Sequence, residues 1–123
     1  MSKPTVVIVD DDRSFVEAVS IFLERRGYCA VPAFNGQEGL ARLRKNGIDV
    51  GIVDVHLPDI SGIDLTKQIR HAGVAPPIIL ISSDHRPEVF RACREAGARL
   101  FLPKPISPEE LLRAISGALE SRT

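Results

Sequence analysis

Five short apolar runs punctuate the chain, and between them apolar residues recur every three or four positions. The runs lie near residues 5–10, 28–33, 49–54, 78–82 and 99–102, and the periodic stretches near 13–26, 36–46, 62–72, 86–96 and 108–120. Short continuous runs predict strands, and the three-to-four spacing predicts amphipathic helices. Strict alternation of the two predicts an α/β fold with a parallel sheet covered on both faces and right-handed crossovers. Val6-Val7-Ile8-Val9, Val50-Gly51-Ile52-Val53 and Ile78-Ile79-Leu80-Ile81 are almost wholly apolar, as strands buried on both faces should be. Tyr28-Cys29-Ala30-Val31-Pro32-Ala33 is more mixed and contains a proline, which predicts an edge strand.

The helical stretches carry start and stop signals. In the first, Phe15, Ala18, Val19, Phe22 and Leu23 fall on one stripe, and Arg25-Arg26-Gly27 closes it with basic residues and a glycine. Arg44-Lys45-Asn46-Gly47 closes the second in the same way. Ser107-Pro108-Glu109-Glu110 opens the last with a capping box and a proline at the first helical position, ahead of a stripe of Leu111, Leu112, Ile115, Ala118 and Leu119. The 123 residues are expected to form one domain, 1–123, with its own core and without linker or repeat.

Composition narrows the function. Sixteen basic and sixteen acidic residues cancel, and no basic stripe is present, so direct nucleic-acid binding is not expected. No apolar stretch approaches the roughly 18 residues that cross a bilayer, and Met1-Ser2-Lys3-Pro4 leads into a run too short for a signal peptide. Cys29 and Cys93 lack metal-type spacing and read as small buried hydrophobes of a reducing compartment. These features predict a cytoplasmic protein with no membrane association.

The chemistry lies where the apolar runs stop. The first run ends in Asp10-Asp11, the third in Asp54, the fourth in Ser82 and the fifth, Leu100-Phe101-Leu102-Pro103, in Lys104. In open parallel sheets the ligand crevice lies beyond the carboxyl ends of the strands. The fold should therefore gather three carboxylates, a hydroxyl and an ammonium at one edge. Adjacent carboxylates repel unless a cation joins them, and Mg²⁺ accepts one or two carboxylates while keeping sites for phosphate oxygens. Asp54 beside such an ion is suited to attack phosphorus, Ser82 to donate to a phosphoryl oxygen, and Lys104 to act as a point charge. Each residue has a plainer reading: an acidic turn capping the first helix (a role that suits Asp12), a turn-opening Asp54, a strand-end serine bonded to its own backbone, and a surface lysine. Their joint placement at four strand ends favours the phosphoryl reading.

Val9-Asp10-Asp11, Asp54 with Leu57-Pro58 and Gly62, Ile81-Ser82, Gly97-Ala98 and Lys104-Pro105 together resemble the receiver domain of two-component response regulators, in order and spacing along nearly the whole chain. The resemblance implies a flavodoxin-like, doubly wound five-stranded parallel sheet of order 2-1-3-4-5 with five helices. It implies a Mg²⁺ site at Asp10, Asp11, Asp54 and the main-chain carbonyl of His56, with the His56 ring facing solvent. Asp54 is then the phosphoacceptor, Lys104 the conserved-type lysine, and Ser82 and Phe101 the switch pair. A cis Lys104-Pro105 bond is also implied. Implied partners are a sensor histidine kinase or phosphotransfer protein, an output domain or downstream protein, and a second copy through the fourth helix, fifth strand and fifth helix. Such a chain catalyses only its own phosphorylation and dephosphorylation. It is either a stand-alone regulator or part of a longer protein. His56 and Asp84, two residues after Asp54 and Ser82, are placed to tune hydrolysis.

Three other readings fit less well. An aspartyl-phosphate phosphatase would carry a second Asp at the position of His56. A flavin or nucleotide module would need glycines or hydroxyls where Asp10-Asp11-Asp12 stands. A phosphorylation-independent, receiver-like docking module would be expected to lack one of Asp11, Asp54 or Lys104.

Overall fold

The computed structural model describes residues 3–73 and 75–120. Expectations attached to Met1-Ser2 and to Ser121-Arg122-Thr123 lie outside them. Strands and helices alternate: β1 Thr5–Val9, α1 Arg13–Arg25, β2 Cys29–Ala33, α2 Gly36–Leu43, β3 Val50–Asp54, α3 Gly62–His71, β4 Ile78–Ser82, α4 Pro87–Glu95, β5 Leu100–Pro103 and α5 Pro108–Glu120. The strands form one sheet of order β2-β1-β3-β4-β5, every pair parallel. This is the expected doubly wound arrangement.

Strand alternation decides which side chain enters which layer. Val6 and Ile8 pack with Ile52, Ile79 and Ile81 against Val16, Val19 and Leu23 of α1 and Leu111 and Ile115 of α5. Val7 and Val9 point the other way, with Val53 and Leu80, against Leu43, Leu65, Ile69 and Val89 of α2, α3 and α4. A fully buried Leu or Ile contributes about 1.5–3 kcal/mol relative to exposure, so these two layers hold the fold. The central strands are buried residue by residue, whereas β2 and β5 show intermediate and exposed positions. Pro32 sits exposed on β2, where a missing N–H costs no inner ladder bond.

The details depart from expectation in places. Val16, not Ala18, completes the buried face of α1, and Ala18 is exposed. Positions two apart on a helix lie about 200° apart, so the packed side is chosen by the sheet, not by the stripe alone. Helix α2 stops at Leu43, with Arg44 as its cap, rather than running to residue 46. Gly47 turns the chain further on with φ +87°. Gly27 follows the α1 cap with φ +90°, as its position implied. Cys93 is buried, but Cys29 is only half-buried because it opens an edge strand. The capping box at α5 forms in both directions, Ser107 N–H to Glu110 Oε1 and Glu110 N–H to Ser107 Oγ, each at 3.1 Å. Among the described residues no helix is long and apolar enough to cross a membrane.

Candidate functional site

Because β1, β3, β4 and β5 are parallel, their carboxyl ends open on the same edge. The Asp10 amide donates to Ala33 O at 3.0 Å, which fixes the exit of β1, and its side chain is fully buried. Asp12 turns away and caps α1, its Oδ1 accepting from Phe15 N–H at 3.1 Å. The amide of Asp12 donates to Asp10 Oδ1 at 3.0 Å. One turn therefore divides three adjacent carboxylates into a buried one, Asp10, an exposed one, Asp11, and a helix cap.

Asp54, buried at the end of β3, accepts from the His56 amide at 3.1 Å through Oδ1. Lys104 spans the gap: its Nζ lies 2.9 Å from Asp10 Oδ2 and 3.2 Å from Asp54 Oδ2. The same ammonium lies 5.0 Å from the Phe15 ring centroid, and the Lys104 amide donates to Ser82 O at 2.8 Å. The Lys104-Pro105 bond is cis.

Carboxylate oxygens of Asp10, Asp11 and Asp54 lie within 4.8 Å of one another. Three hard oxygen donors at that spacing suit Mg²⁺ and do not suit a softer metal. Burial pushes the Asp10 carboxyl up, and the negative Asp54 adds to this, while the Asp12 amide and Lys104 pull it down without cancelling the rise. Burial alone would lower the Lys104 ammonium, but its bonds and charge attraction to Asp10, with the attraction of Asp54, outweigh burial and hold it above its ordinary value. One cation thus faces more negative charge than it neutralises.

This sets a pH dependence. A carboxyl raised on folding stabilises the fold fully below its unfolded pKa, near 4, and that contribution is lost as pH rises through the folded value. Metal-free protein should therefore lose stability as pH rises from about 5 to neutrality. Asp10→Asn should remove that loss and unfold at higher denaturant than wild type at pH 7. Urea unfolding in chelator at both pH values checks this; a wild-type profile that is flat over that range would exclude it.

Ser82 is fully buried at the end of β4, and its Oγ accepts from the Asp84 amide at 2.9 Å. Its hydroxyl proton is thus directed elsewhere than to that amide. Phe101 is half-buried and meets Phe90 of α4 edge-on, with ring centroids 5.6 Å apart. The structure does not bring it to the carboxylates. With His85, Phe90, Pro103, Lys104, Pro105 and Glu110 it lines a groove of about 500 Å³. The His56 ring is exposed, as expected, and its Nε2 lies 3.5 Å from Asp84 Oδ2.

Several contacts had no sequence signal. Arg86 grips Asp84 with two bonds, Nε to Oδ1 at 2.8 Å and Nη2 to Oδ2 at 2.6 Å. That guanidinium holds the Asp84 carboxyl well below the usual range. His85 Nε2 lies 2.9 Å from Lys104 O, joining the loops after β4 and β5. Asp59 accepts from Gly36 N–H at 2.7 Å and Gln37 N–H at 2.9 Å. An Asp after proline reads as a turn residue, and nothing local announces a partner more than twenty positions away.

The family profile described as response regulator receiver domain matches residues 6–116. A receiver domain protein of Methanospirillum hungatei described as CheY-like superposes with a TM-score of 0.93 at 27% identity, covering 98% of this chain and 97% of that one. The chemotaxis response regulator CheY4 of Vibrio cholerae superposes with a TM-score of 0.86 at 32% identity, covering 96% and 100%. The regulatory protein VanRc of Enterococcus gallinarum is 30% identical over 114 residues, 93% of this chain and 49% of that protein. A cyclic di-GMP phosphodiesterase of Thermotoga maritima is 35% identical over 118 residues, 96% of this chain and 32% of that protein. The chain thus spans about half or less of these two curated relatives.

Proposed function

The chain belongs to the response regulator receiver domain family of two-component systems, and from that premise we propose that it accepts a phosphoryl group on Asp54 with Mg²⁺ bound at Asp10, Asp11, Asp54 and the His56 carbonyl. The observation that carries this reading is the Lys104 ammonium set between two buried carboxylates, with a third carboxylate beside them. Bound there, Mg²⁺ offsets the negative charge that gathers on phosphoryl oxygens.

The chain's own residues do the rest. Asp54 is held by the His56 amide and Lys104, so its carboxylate is oriented before a donor arrives. A carboxylate oxygen of Asp54 bonds to phosphorus as the bond from phosphorus to the donor nitrogen breaks. The leaving imidazole keeps the bonding pair and takes up a proton. Lys104 then has a phosphoryl oxygen to bind in addition to its carboxylates. The donor is a sensor histidine kinase or a phosphotransfer protein, and water later cleaves the acyl phosphate. No external substrate is turned over.

Ser82 and Phe101 make the readout. The Ser82 hydroxyl turns toward a phosphoryl oxygen and leaves the Asp84 amide, which frees the loop before α4. Phe101 then rotates inward from its contact with Phe90, and the α4-β5-α5 surface is repacked. This is a population shift between two packings, biased by about two negative charges. An output domain, a downstream protein or a second copy reads that surface.

Intact mass after incubation with acetyl phosphate tests the reading. Wild type should gain one phosphoryl group with Mg²⁺ and none in chelator, and Asp54→Asn should gain none. Failure of wild type to gain mass, together with failure to bind beryllofluoride, would leave a docking module in place of a phosphorylated switch.

A further inference from the structure

We infer that Asp59 is a positioning residue for the metal site, because its carboxylate ties the loop that carries His56 to the N-terminus of α2. This rests on the Mg²⁺ reading proposed above. The loop between β3 and α3 has little burial to hold it: His56, Pro58 and Asp59 are exposed, and Leu57 and Ile60 are only half-buried. Its two ends are pinned locally, by the His56 amide on Asp54 Oδ1 at 3.1 Å and the Gly62 amide on Val55 O at 2.8 Å. His56 also pairs across the loop with Ser61. The tip needs a separate anchor, since local closure of a loop fixes its ends better than its middle.

Asp59 supplies that anchor with two hydrogen bonds to successive α2 amides, Gly36 at 2.7 Å and Gln37 at 2.9 Å. The helix has its own cap for the next amide. Asn35 Oδ1 accepts from Glu38 N–H at 2.8 Å, and Glu38 Oε1 returns to the Phe34 amide at 2.9 Å. Asp59 therefore completes the set of first-turn donors from a distant loop, so that the helix end and the loop are held in one geometry. Gly36 allows the approach. A Cβ there would run into Cγ2 of Ile60 and come within 3.0 Å of Asp59 Oδ1. The Gly36 N–H also draws the Asp59 carboxyl below its ordinary value, so the anchor is charged and intact at neutral pH and is lost only as pH falls through that lowered value.

A carbonyl ligand on an exposed loop binds an ion well only if the loop waits in place. Support behind a metal ligand is commonly worth tenfold or more in affinity. Mg²⁺ titrations by calorimetry on wild type, Asp59→Ala, Asp59→Asn, Gly36→Ala and Glu38→Ala test the inference. Asp59→Ala and Gly36→Ala should each weaken Mg²⁺ about tenfold. Asp59→Asn, which keeps one acceptor oxygen, should fall between them and wild type. Glu38→Ala weakens the α2 cap without touching the anchor, so its Mg²⁺ affinity should stay near wild type although its melting temperature falls. Wild-type affinity in Asp59→Ala, or an equal loss in Glu38→Ala, would overturn the anchor while leaving the metal site standing. Absence of Mg²⁺ binding by wild type would instead remove the metal reading and this inference with it.

Discussion

Lys104→Ala is expected to lower the stability of metal-free protein by about 3 kcal/mol at pH 7 and, at the same time, to tighten Mg²⁺ binding about tenfold. The two effects have one cause. The ammonium lies 2.9 Å from Asp10 and 3.2 Å from Asp54, and Asp10 has no exposed surface. Removing it leaves a buried carboxylate facing a second one, and breaking a buried pair from one side costs far more than the pair itself contributes. The ammonium also repels any divalent ion entering the same cluster. A unit charge about 4 Å away is worth some 4 kcal/mol at an effective dielectric near 20. A third of that already gives a tenfold change. The Lys104 ammonium is raised by its partners, so its contribution is complete below the ordinary lysine pKa and lost only in alkali as pH rises through the folded value. Urea unfolding in chelator reads the first effect and calorimetric Mg²⁺ titration the second. Saturating Mg²⁺ should recover most of the lost stability. Weaker Mg²⁺ binding in Lys104→Ala would mean that the ammonium organises the carboxylates instead of competing for them.

Gly62→Ala is expected to destabilise by about 2 kcal/mol or more, although alanine is the better helix former. Gly62 opens α3 directly beneath the end of β3. A Cβ there would meet the Asp54 carbonyl oxygen, with Asp54 C at 2.9 Å and Val55 Cα at 3.0 Å. All three are backbone atoms, so no rotamer change relieves the clash, and the strand end that presents Asp54 must shift. Mg²⁺ affinity should fall with stability. Gly117 provides the opposite case inside α5, where a Cβ would meet nothing within 4 Å. Gly117→Ala should therefore stabilise by roughly 0.5–1 kcal/mol. Parallel urea unfolding of the two variants checks the pair. Destabilisation of equal size in both would show that backbone contact at Gly62 is not the cause.

Some of this was legible along the chain and some was not. β1, β3 and β4 could be read from composition because they are buried on both faces, which leaves polar residues only at their ends, Thr5, Asp54 and Ser82. The helix caps at Asp12 and Ser107 were legible because both partners lie within one turn. The gathering of Asp10, Asp11, Asp54 and Lys104 followed from parallel topology alone, since parallel strands must end on the same edge. The α1 stripe was misread at Ala18 because apolar residues surround it, and only contact with the sheet separates a packed alanine from an exposed one. The end of α2 was misread because basic residues close a helix equally well at several positions, and Gly47 makes its turn after the helix has stopped.

The sequence by itself determined the order of elements, the sheet and the edge at which the chemistry collects. Those depend on local periodicity, chain direction and handedness, which short-range sterics set. The tertiary structure decided how charge is distributed within that edge: which aspartate is buried, that one ammonium bridges two carboxylates, that Arg86 grips Asp84, and that Asp59 anchors a loop to a helix 22 residues earlier. The Lys104 and Asp59 contacts join residues far apart in the chain, the Arg86–Asp84 pair forms only when both side chains are turned toward each other, and the strength of each depends on burial and on distances of about an ångström. Neither quantity exists until the chain has folded.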